Sequence, residues 1–305
     1  MFSEILILGG TNYVGKSLLY KLLKENRKVS IISRSCHKVK DHPNLEKING
    51  ERILILPSLK NREWEVVYDQ TCYSLEDAEL SCLSFNGKIG TYIFTSSQAV
   101  YPAGKNLCES DYNPYDLNNF HKIERAYNYA KRQAEAVFYQ KAYFPVTTVR
   151  FPIILGKNNP NKRFQSDIEL ILKTNTVSVE NLEARLSLID STDAANFLYW
   201  LHNKKYQGPI NACSLGSICL KDFIKHIELY AKTPLHINEV KYQKYSQHPY
   251  LVHSAWEKDR RLLSVSISNH WYMDQSQALQ MGYKFHHTHD WLPSYLKDIV
   301  HDSSS

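Results

Sequence analysis

The chain has no pair of cysteines spaced for a metal or a redox dithiol. Its six cysteines, at positions 36, 72, 82, 108, 213 and 219, are scattered, without a Cys-x-x-Cys or a zinc-like Cys/His spacing. A disulfide or zinc framework is therefore not expected, and reduced thiols in a cytoplasm suit the pattern better. No apolar run approaches the roughly 18 residues of a membrane span. The opening Met1-Phe2-Ser3-Glu4 carries no basic region of the kind that begins a secretory signal. Neither membrane insertion nor export is expected. Long basic stripes are missing too: 37 Lys and Arg against 31 Asp and Glu leave a formal charge of +6, dispersed along the chain. That excess can attract a phosphorylated ligand without forming a nucleic-acid track. There is no internal repeat, and the only low-complexity stretch is Ser303-Ser304-Ser305. Thirteen histidines are many for this length, but the densest group, His286-His287-Thr288-His289, reads as solvated surface rather than a metal site.

What is present is an ordinary globular composition, 43% hydrophobic and 22% charged over 305 residues, enough to bury a core without staples. Ile5–Leu8, Val29–Ile32, Glu65–Tyr68, Thr91–Thr95 and Val146–Val149 read as strands; Ile53–Leu56 is a further strand or an irregular segment. Leu18, Leu19, Leu22 and Leu23 mark a helix after the first strand, and another is expected from about Lys122 to Lys141. Strands this apolar, alternating with helices, predict an α/β fold with a doubly wound parallel sheet covered on both faces. Beyond Pro152 the pattern loosens, with a helix near Ser166–Lys173, a strand at Leu186–Ile189 and a helix at Asp193–Asn203. The last ninety residues are rich in Tyr, His and Trp, the composition of a smaller, mixed substrate-binding subdomain.

Between the first strand and first helix lies Gly9-Gly10-Thr11-Asn12-Tyr13-Val14-Gly15. Glycines at 9 and 15 permit a tight turn, close approach to a pyrophosphate and close packing of helix on sheet. The helix N-terminus then offers N–H groups to the phosphates. Asn12 stands where a third glycine is often found, and asparagine is expected to accept a left-handed backbone there. The second strand ends in Ser33-Arg34, nineteen residues after Gly15. An acidic residue here would accept from a ribose 2′-hydroxyl, whereas Arg34 suits a 2′-phosphate, which points to NADP(H).

Tyr-x-x-x-Lys occurs three times. Tyr20 and Lys24 lie on the first helix, beside the expected phosphate site. Tyr101 and Lys105 are separated by Pro102 and Gly104 and need not share a face. Tyr127 and Lys131 fall in a strong helical segment, one turn apart on one face. Thirty residues upstream, the strand at Tyr92–Thr95 delivers Ser96 and Ser97 to the carboxyl end of the sheet, where ligands bind in such folds.

With these residues in view the chain resembles the extended or atypical short-chain dehydrogenase/reductases, in the NAD-dependent epimerase/dehydratase group. The likeness runs through Gly9-Gly10-Thr11…Gly15, Phe94-Thr95-Ser96-Ser97…Val100-Tyr101, Tyr127…Lys131 with Ala134-Glu135, and Val149-Arg150-Phe151-Pro152…Gly156. It continues through Ile189-Asp190…Asp193-Ala194-Ala195 and Gly208-Pro209-Ile210-Asn211-Ala212. The resemblance implies Tyr127 as catalytic tyrosine, Lys131 as its lysine and Ser97 as the hydroxyl partner, with Ser96 and Thr95 as rivals. It also implies that Gly9, Thr11, Asn12, Tyr13, Val14, Gly15, Ser33, Arg34, Lys131 and Phe151 line the cofactor. Arg163 and Arg260 are candidates for gripping a substrate diphosphate. The expected organisation is a Rossmann domain over 1–155, with 186–213 returning to it. A substrate-binding subdomain over 156–185 and 214–302 and a tail at 303–305 complete it.

The group's usual substrates are sugars on nucleoside diphosphates. Dehydratases of the group carry acidic residues after the hydroxyl partner, where this chain has Gln98-Ala99. With an NADP signature, the first expectation is NADPH-dependent reduction of a nucleotide-linked 4-keto-6-deoxy sugar, as in deoxysugar formation for bacterial surface polysaccharide. The alternatives are a nucleotide-sugar epimerase and, from another class, an RNA-binding or regulatory member. The retained tyrosine–lysine pair and the lack of a basic stripe speak against the last. A homodimer is an assembly the resemblance allows.

Overall fold

The computed structural model describes residues 3–115, 127–240, 263 and 265–304. Two compact units divide it: one holds residues 1–100, 109–151 and 191–212, the other 101–108, 152–190 and 213–305.

The first unit is built on a seven-stranded parallel sheet. Its strands are β1 (Glu4–Leu8), β2 (Lys28–Ser33), β3 (Leu45–Asn49), β4 (Trp64–Asp69), β5 (Ile89–Ser97), β7 (Val146–Phe151) and β12 (Gly208–Asn211), in the spatial order β12-β7-β5-β4-β1-β2-β3. The chain winds outward from β1 to β3, then returns to place β4 against β1, with Ile5 opposite both Val29 and Val66. The crevice beyond this switch point is where doubly wound sheets bind ligands. Leu6 and Leu8 of β1 join Val67, Tyr92 and Phe94 in a core completed by α3 (Leu75–Phe85) and α4 (Tyr127–Lys141), through Ala78, Cys82, Phe85, Ala134, Val137 and Phe138. Ile5 and Ile7 alternate to the opposite face and are equally buried. Helix α1 (Tyr13–Lys24) buries Leu18, Leu19, Leu22 and Leu23 and is tied to α6 (Ser191–Leu201) by a 2.8 Å hydrogen bond from Lys21 to Asn196. Both faces are covered, as the apolar strands require.

Of the two readings of Ile53–Leu56, the irregular one holds. Ile53–Leu56 is no strand: a single turn, α2 (Arg52–Ile55), runs into a 3-10 turn at Leu56–Leu59. The third strand is instead β3, whose five residues are all half-buried or exposed, as befits a sheet edge, so no apolar run announces it. The helix expected from about Lys122 to Lys141 is present over Tyr127–Lys141, and residues 122–126 lie outside the described residues.

The second unit holds a four-stranded sheet, β13 (Ile218–Cys219), β10 (Arg185–Leu186), β15 (Trp271–Met273) and β6 (Gly104–Leu107), in that order. Two parallel pairs stand beside it: β8 (Ile153–Leu155) with β11 (Leu188–Asp190), and β9 (Thr176–Val179) with β14 (His236–Glu239). The strand expected at Leu186–Ile189 is therefore two strands in different sheets. The chain changes sheet at Ser187, whose hydroxyl accepts a 2.9 Å bond from the Met273 N–H. Helices α5 (Arg163–Thr174), α7 (Leu220–Ala231), α8 (Ser276–Gln280) and α9 (Thr288–Ser304) complete the unit. Phe164 of α5 packs on Phe223 of α7 and Tyr295 of α9.

Candidate active site

The glycine turn follows β1 directly. Gly9 has φ +92°, and a Cβ there would lie 2.5 Å from Thr71 Cγ2; one on Gly15 would lie 2.5 Å from the Gly9 carbonyl oxygen. Both positions exclude any side chain, and Gly10 is nearly as tight, with Ile31 Cγ2 at 2.9 Å. The turn is thus closed by its own backbone and by the loop after β4, leaving the first turn of α1 to face a ligand phosphate. Asn12 does not use the left-handed conformation that asparagine tolerates. It is extended (φ −135°, ψ 154°), as an N-cap residue should be, and Tyr13 carries the positive φ of 47°. Thr11 and Val14 are buried, and the Thr11 hydroxyl bonds the Ser33 hydroxyl at 2.9 Å, joining the turn to the end of β2. Arg34, next in sequence, has a side chain 79% exposed, with Glu51 3.6 Å away.

At the carboxyl end of β5 the three candidate hydroxyl residues part company. The Ser96 hydroxyl donates to Glu135, whose carboxylate pairs with Arg150 at 2.6 Å, both side chains wholly buried. Arg150 also donates to the Glu109 carbonyl at 2.9 Å. Ser96 is therefore committed to a structural ion pair. The Ser97 oxygen accepts from the Ala99 N–H at 3.1 Å, which fixes its place and leaves its own proton to donate. The Thr95 carbonyl accepts from Lys131.

Tyr127 and Lys131 sit one turn apart on α4. The Lys131 ammonium is buried and donates 2.9 Å hydrogen bonds to the carbonyls of Cys72 and Thr95. It stands 4.7 Å from the ring centroids of both Tyr73 and Phe94, and 5.7 Å from that of Tyr127. Burial pulls its pKa below the usual lysine range, against the raising influence of Cys72, Tyr73, Asp69 and Glu135. Of the other Tyr-x-x-x-Lys pairs, Tyr20 lies on the partly exposed side of α1, and Lys105 is in a strand rather than on a helix with Tyr101.

Phe151 ends β7, is 2% exposed and meets Phe197 of α6 edge-on at 6.4 Å. Arg163 opens α5 in the second unit. Arg260 lies outside the described residues.

Sequence reasoning missed the loop over residues 69–73. Asp69 is fully buried, pairs with Arg52 at 2.6 Å and accepts from the Tyr92 hydroxyl and the Thr71 N–H. Burial pushes its carboxyl up, and the Arg52 guanidinium with these hydrogen bonds more than offsets that, holding the pKa below the usual range. An acid closing an otherwise apolar strand was the available signal; Arg52 offered none. Among the described residues, no group of His, Cys, Asp and Glu is placed to hold a metal ion, and no helix is long and apolar enough to cross a membrane.

Residues 78–213 match the model of the NAD dependent epimerase/dehydratase family. No curated protein matches the chain. Among solved structures, the fold is similar to that of a UDP-glucuronic acid 4-epimerase from Bacillus cereus in complex with UDP-glucuronic acid and NAD (TM-score 0.71, 15% identity, covering 98% of this chain and 99% of that one). It is similar also to the Bordetella bronchiseptica enzyme WbmH in complex with NAD+ (0.67, 13%, 97% and 96%). The human epimerase family protein SDR39U1 with NADPH is a third (0.65, 13%, 98% and 99%). At such identities the likeness is one of fold.

Proposed function

We propose, for a chain whose residues 78–213 match the model of the NAD dependent epimerase/dehydratase family, an NADPH-dependent reduction of the keto group of a nucleoside-diphosphate-linked 4-keto-6-deoxy sugar. The observation that carries it is the placement of Lys131, buried one turn from Tyr127 and bonded to the strand that ends in Ser97.

The residues present suit a dinucleotide. The turn at Gly9, Gly10 and Gly15 has no room for side chains, and Thr11, Asn12, Tyr13 and Val14 lead into the first turn of α1. Bound there, NADPH would supply the hydride. Ser33 and the exposed Arg34 would hold the adenosine ribose and its 2′-phosphate, and Phe151 would border the nicotinamide end. Tyr127 gives its phenolic proton to the keto oxygen as carbon is reduced, and the Ser97 hydroxyl donates a hydrogen bond to the same oxygen. A free tyrosine, with a pKa of about 10, is a reluctant donor and base at neutral pH. The Lys131 cation favours its phenolate and so brings proton transfer into range. Arg163 and Arg260 are assigned to the substrate diphosphate on the chemistry of arginine alone.

A nucleotide-sugar epimerase is the second reading. The epimerase neighbours bound to NAD favour it, as does Glu51, a carboxylate beside Arg34. Incubation of the pure protein with NADPH and dTDP- or GDP-4-keto-6-deoxyhexoses separates the two. Reduction consumes one NADPH per product. Product without net oxidation establishes epimerisation, and NADPH oxidation with neither sugar overturns the substrate assignment.

A further inference from the structure

The loop over residues 69–73 touches the glycine turn at one end and Lys131 at the other. Thr71 fills the space a Cβ on Gly9 would need, and the Cys72 carbonyl accepts from the Lys131 ammonium. The loop is tied down along its length: Asp69 takes the Thr71 N–H, Asp77 takes the Tyr73 N–H at 3.0 Å, and the Tyr73 hydroxyl donates to the Gln70 carbonyl at 3.3 Å. The bond from its backbone N–H to Asp77, which does not depend on the hydroxyl, sets the Tyr73 ring against Lys131. The tyrosine is 55% exposed, while the lysine beside it is 1% exposed. Its ring also lies 6.5 Å from the ring of Tyr127, at an interplanar angle of 43°. The ammonium thus sits among three rings, those of Tyr73, Phe94 and Tyr127, and of these the Tyr73 ring is the most exposed to solvent.

A cation is attracted to a ring face, and its field on a neighbouring group stays strong only where water is excluded. We propose that Tyr73 is a positioning residue of this site: its ring closes the solvent side of the Lys131 ammonium and so keeps that cation's field on the Tyr127 phenol. The inference rests on the reading that Lys131 acidifies Tyr127. Among the described residues, the other titratable groups that act on the ammonium are Asp69 and Cys72 from the same loop and Glu135 from its own helix. Asp69 is already paired with Arg52, and Glu135 with Arg150. The β5 strand contributes the Phe94 ring and the Thr95 carbonyl. Tyr73 is the wall that a substitution can remove without breaking an ion pair and without opening the buried core, of which Phe94 is part.

The test is a titration of cofactor-free protein carrying ¹³Cζ-labelled tyrosine, followed by NMR, with the Tyr127 signal assigned by its loss in Tyr127→Phe. In the wild type and in Tyr73→Phe, which keeps the ring, Tyr127 titrates below the ordinary value of about 10. In Tyr73→Leu it rises by about one pH unit, and in Lys131→Met at least as far. Tyr73→Met supplies a second ring-free variant, and melting curves on each confirm a folded sample. A Tyr127 value unchanged in both ring-free variants overturns the role of Tyr73. So does a rise in Tyr73→Phe equal to that in Tyr73→Leu, because the ring face would then not be the cause. A wild-type Tyr127 at the ordinary value, indifferent to Lys131→Met, overturns the underlying reading instead.

Discussion

Lys131 donates a 2.9 Å hydrogen bond from Nζ to the carbonyl oxygen of Thr95, joining the helix that carries Tyr127 to the strand that ends in Ser97. With the matching bond to Cys72, it gathers three separate segments on one ammonium. Lys131→Met leaves two carbonyls without their donor, costing about 1–3 kcal/mol, while relieving part of the penalty of a buried charge. Turnover falls by about 100-fold or more, with a smaller fall in melting temperature. Steady-state kinetics beside a thermal melt reads both, and wild-type turnover in Lys131→Met would remove the lysine from the mechanism.

Ser96 and Ser97 are neighbours with opposite duties. Ser96→Ala takes a donor from the buried Glu135–Arg150 pair and destabilises the protein by about 1–3 kcal/mol in urea unfolding. Ser97→Ala loses only the bond from the Ala99 N–H, so stability changes little, but kcat drops by about 100-fold. The reverse pattern would transfer the catalytic hydroxyl to Ser96.

That distinction was not legible in the sequence, which left Thr95, Ser96 and Ser97 as rivals. It depends on Glu135 and Arg150, distant in the chain and brought beneath β5 only by the sheet. The parallel core was readable because β1, β2, β4, β5 and β7 each carry apolar or β-branched residues on both faces rather than in strict alternation with polar ones. The half-exposed edge strand β3 and helix α3, whose seam is made of Ala78, Ser81, Cys82 and Phe85, lack that signal. The pairing of Tyr127 with Lys131 followed from helical spacing. The loop holding Cys72 and Tyr73 against that lysine has no periodicity, and its part emerges only from contacts across the fold.

Asp69 makes stability depend on acid. Its folded pKa lies below the unfolded value of about 3.9, so its contribution is complete above that value and is lost as pH falls through the folded pKa. Asp69→Asn, which takes from the buried Arg52 its 2.6 Å partner and leaves it Asp77 at 3.7 Å, destabilises the protein by about 3 kcal/mol at neutral pH. The same change flattens the loss of stability below about pH 4. Urea unfolding from pH 3 to 7 checks both, and parallel curves for the two proteins would contradict the assignment.

Arg34 should set cofactor choice. Arg34→Glu loses charge-assisted bonds worth about 1.5–3 kcal/mol, so NADPH affinity falls about 10- to 100-fold while NADH affinity holds. Glu51→Gln frees Arg34 from its neighbouring carboxylate and moves preference the other way. Fluorescence titration with both cofactors measures the ratio, and an unchanged ratio in Arg34→Glu would exclude a 2′-phosphate contact.

The central claim is that Tyr127 delivers the proton during net reduction. Its most direct test is the rate of NADPH oxidation by wild type and Tyr127→Phe with a nucleotide-linked 4-keto-6-deoxyhexose, alongside NADPH affinity for both. The account predicts cofactor affinity within about twofold and a rate at least about 100-fold lower in the variant. Oxidation at the wild-type rate by Tyr127→Phe would contradict it.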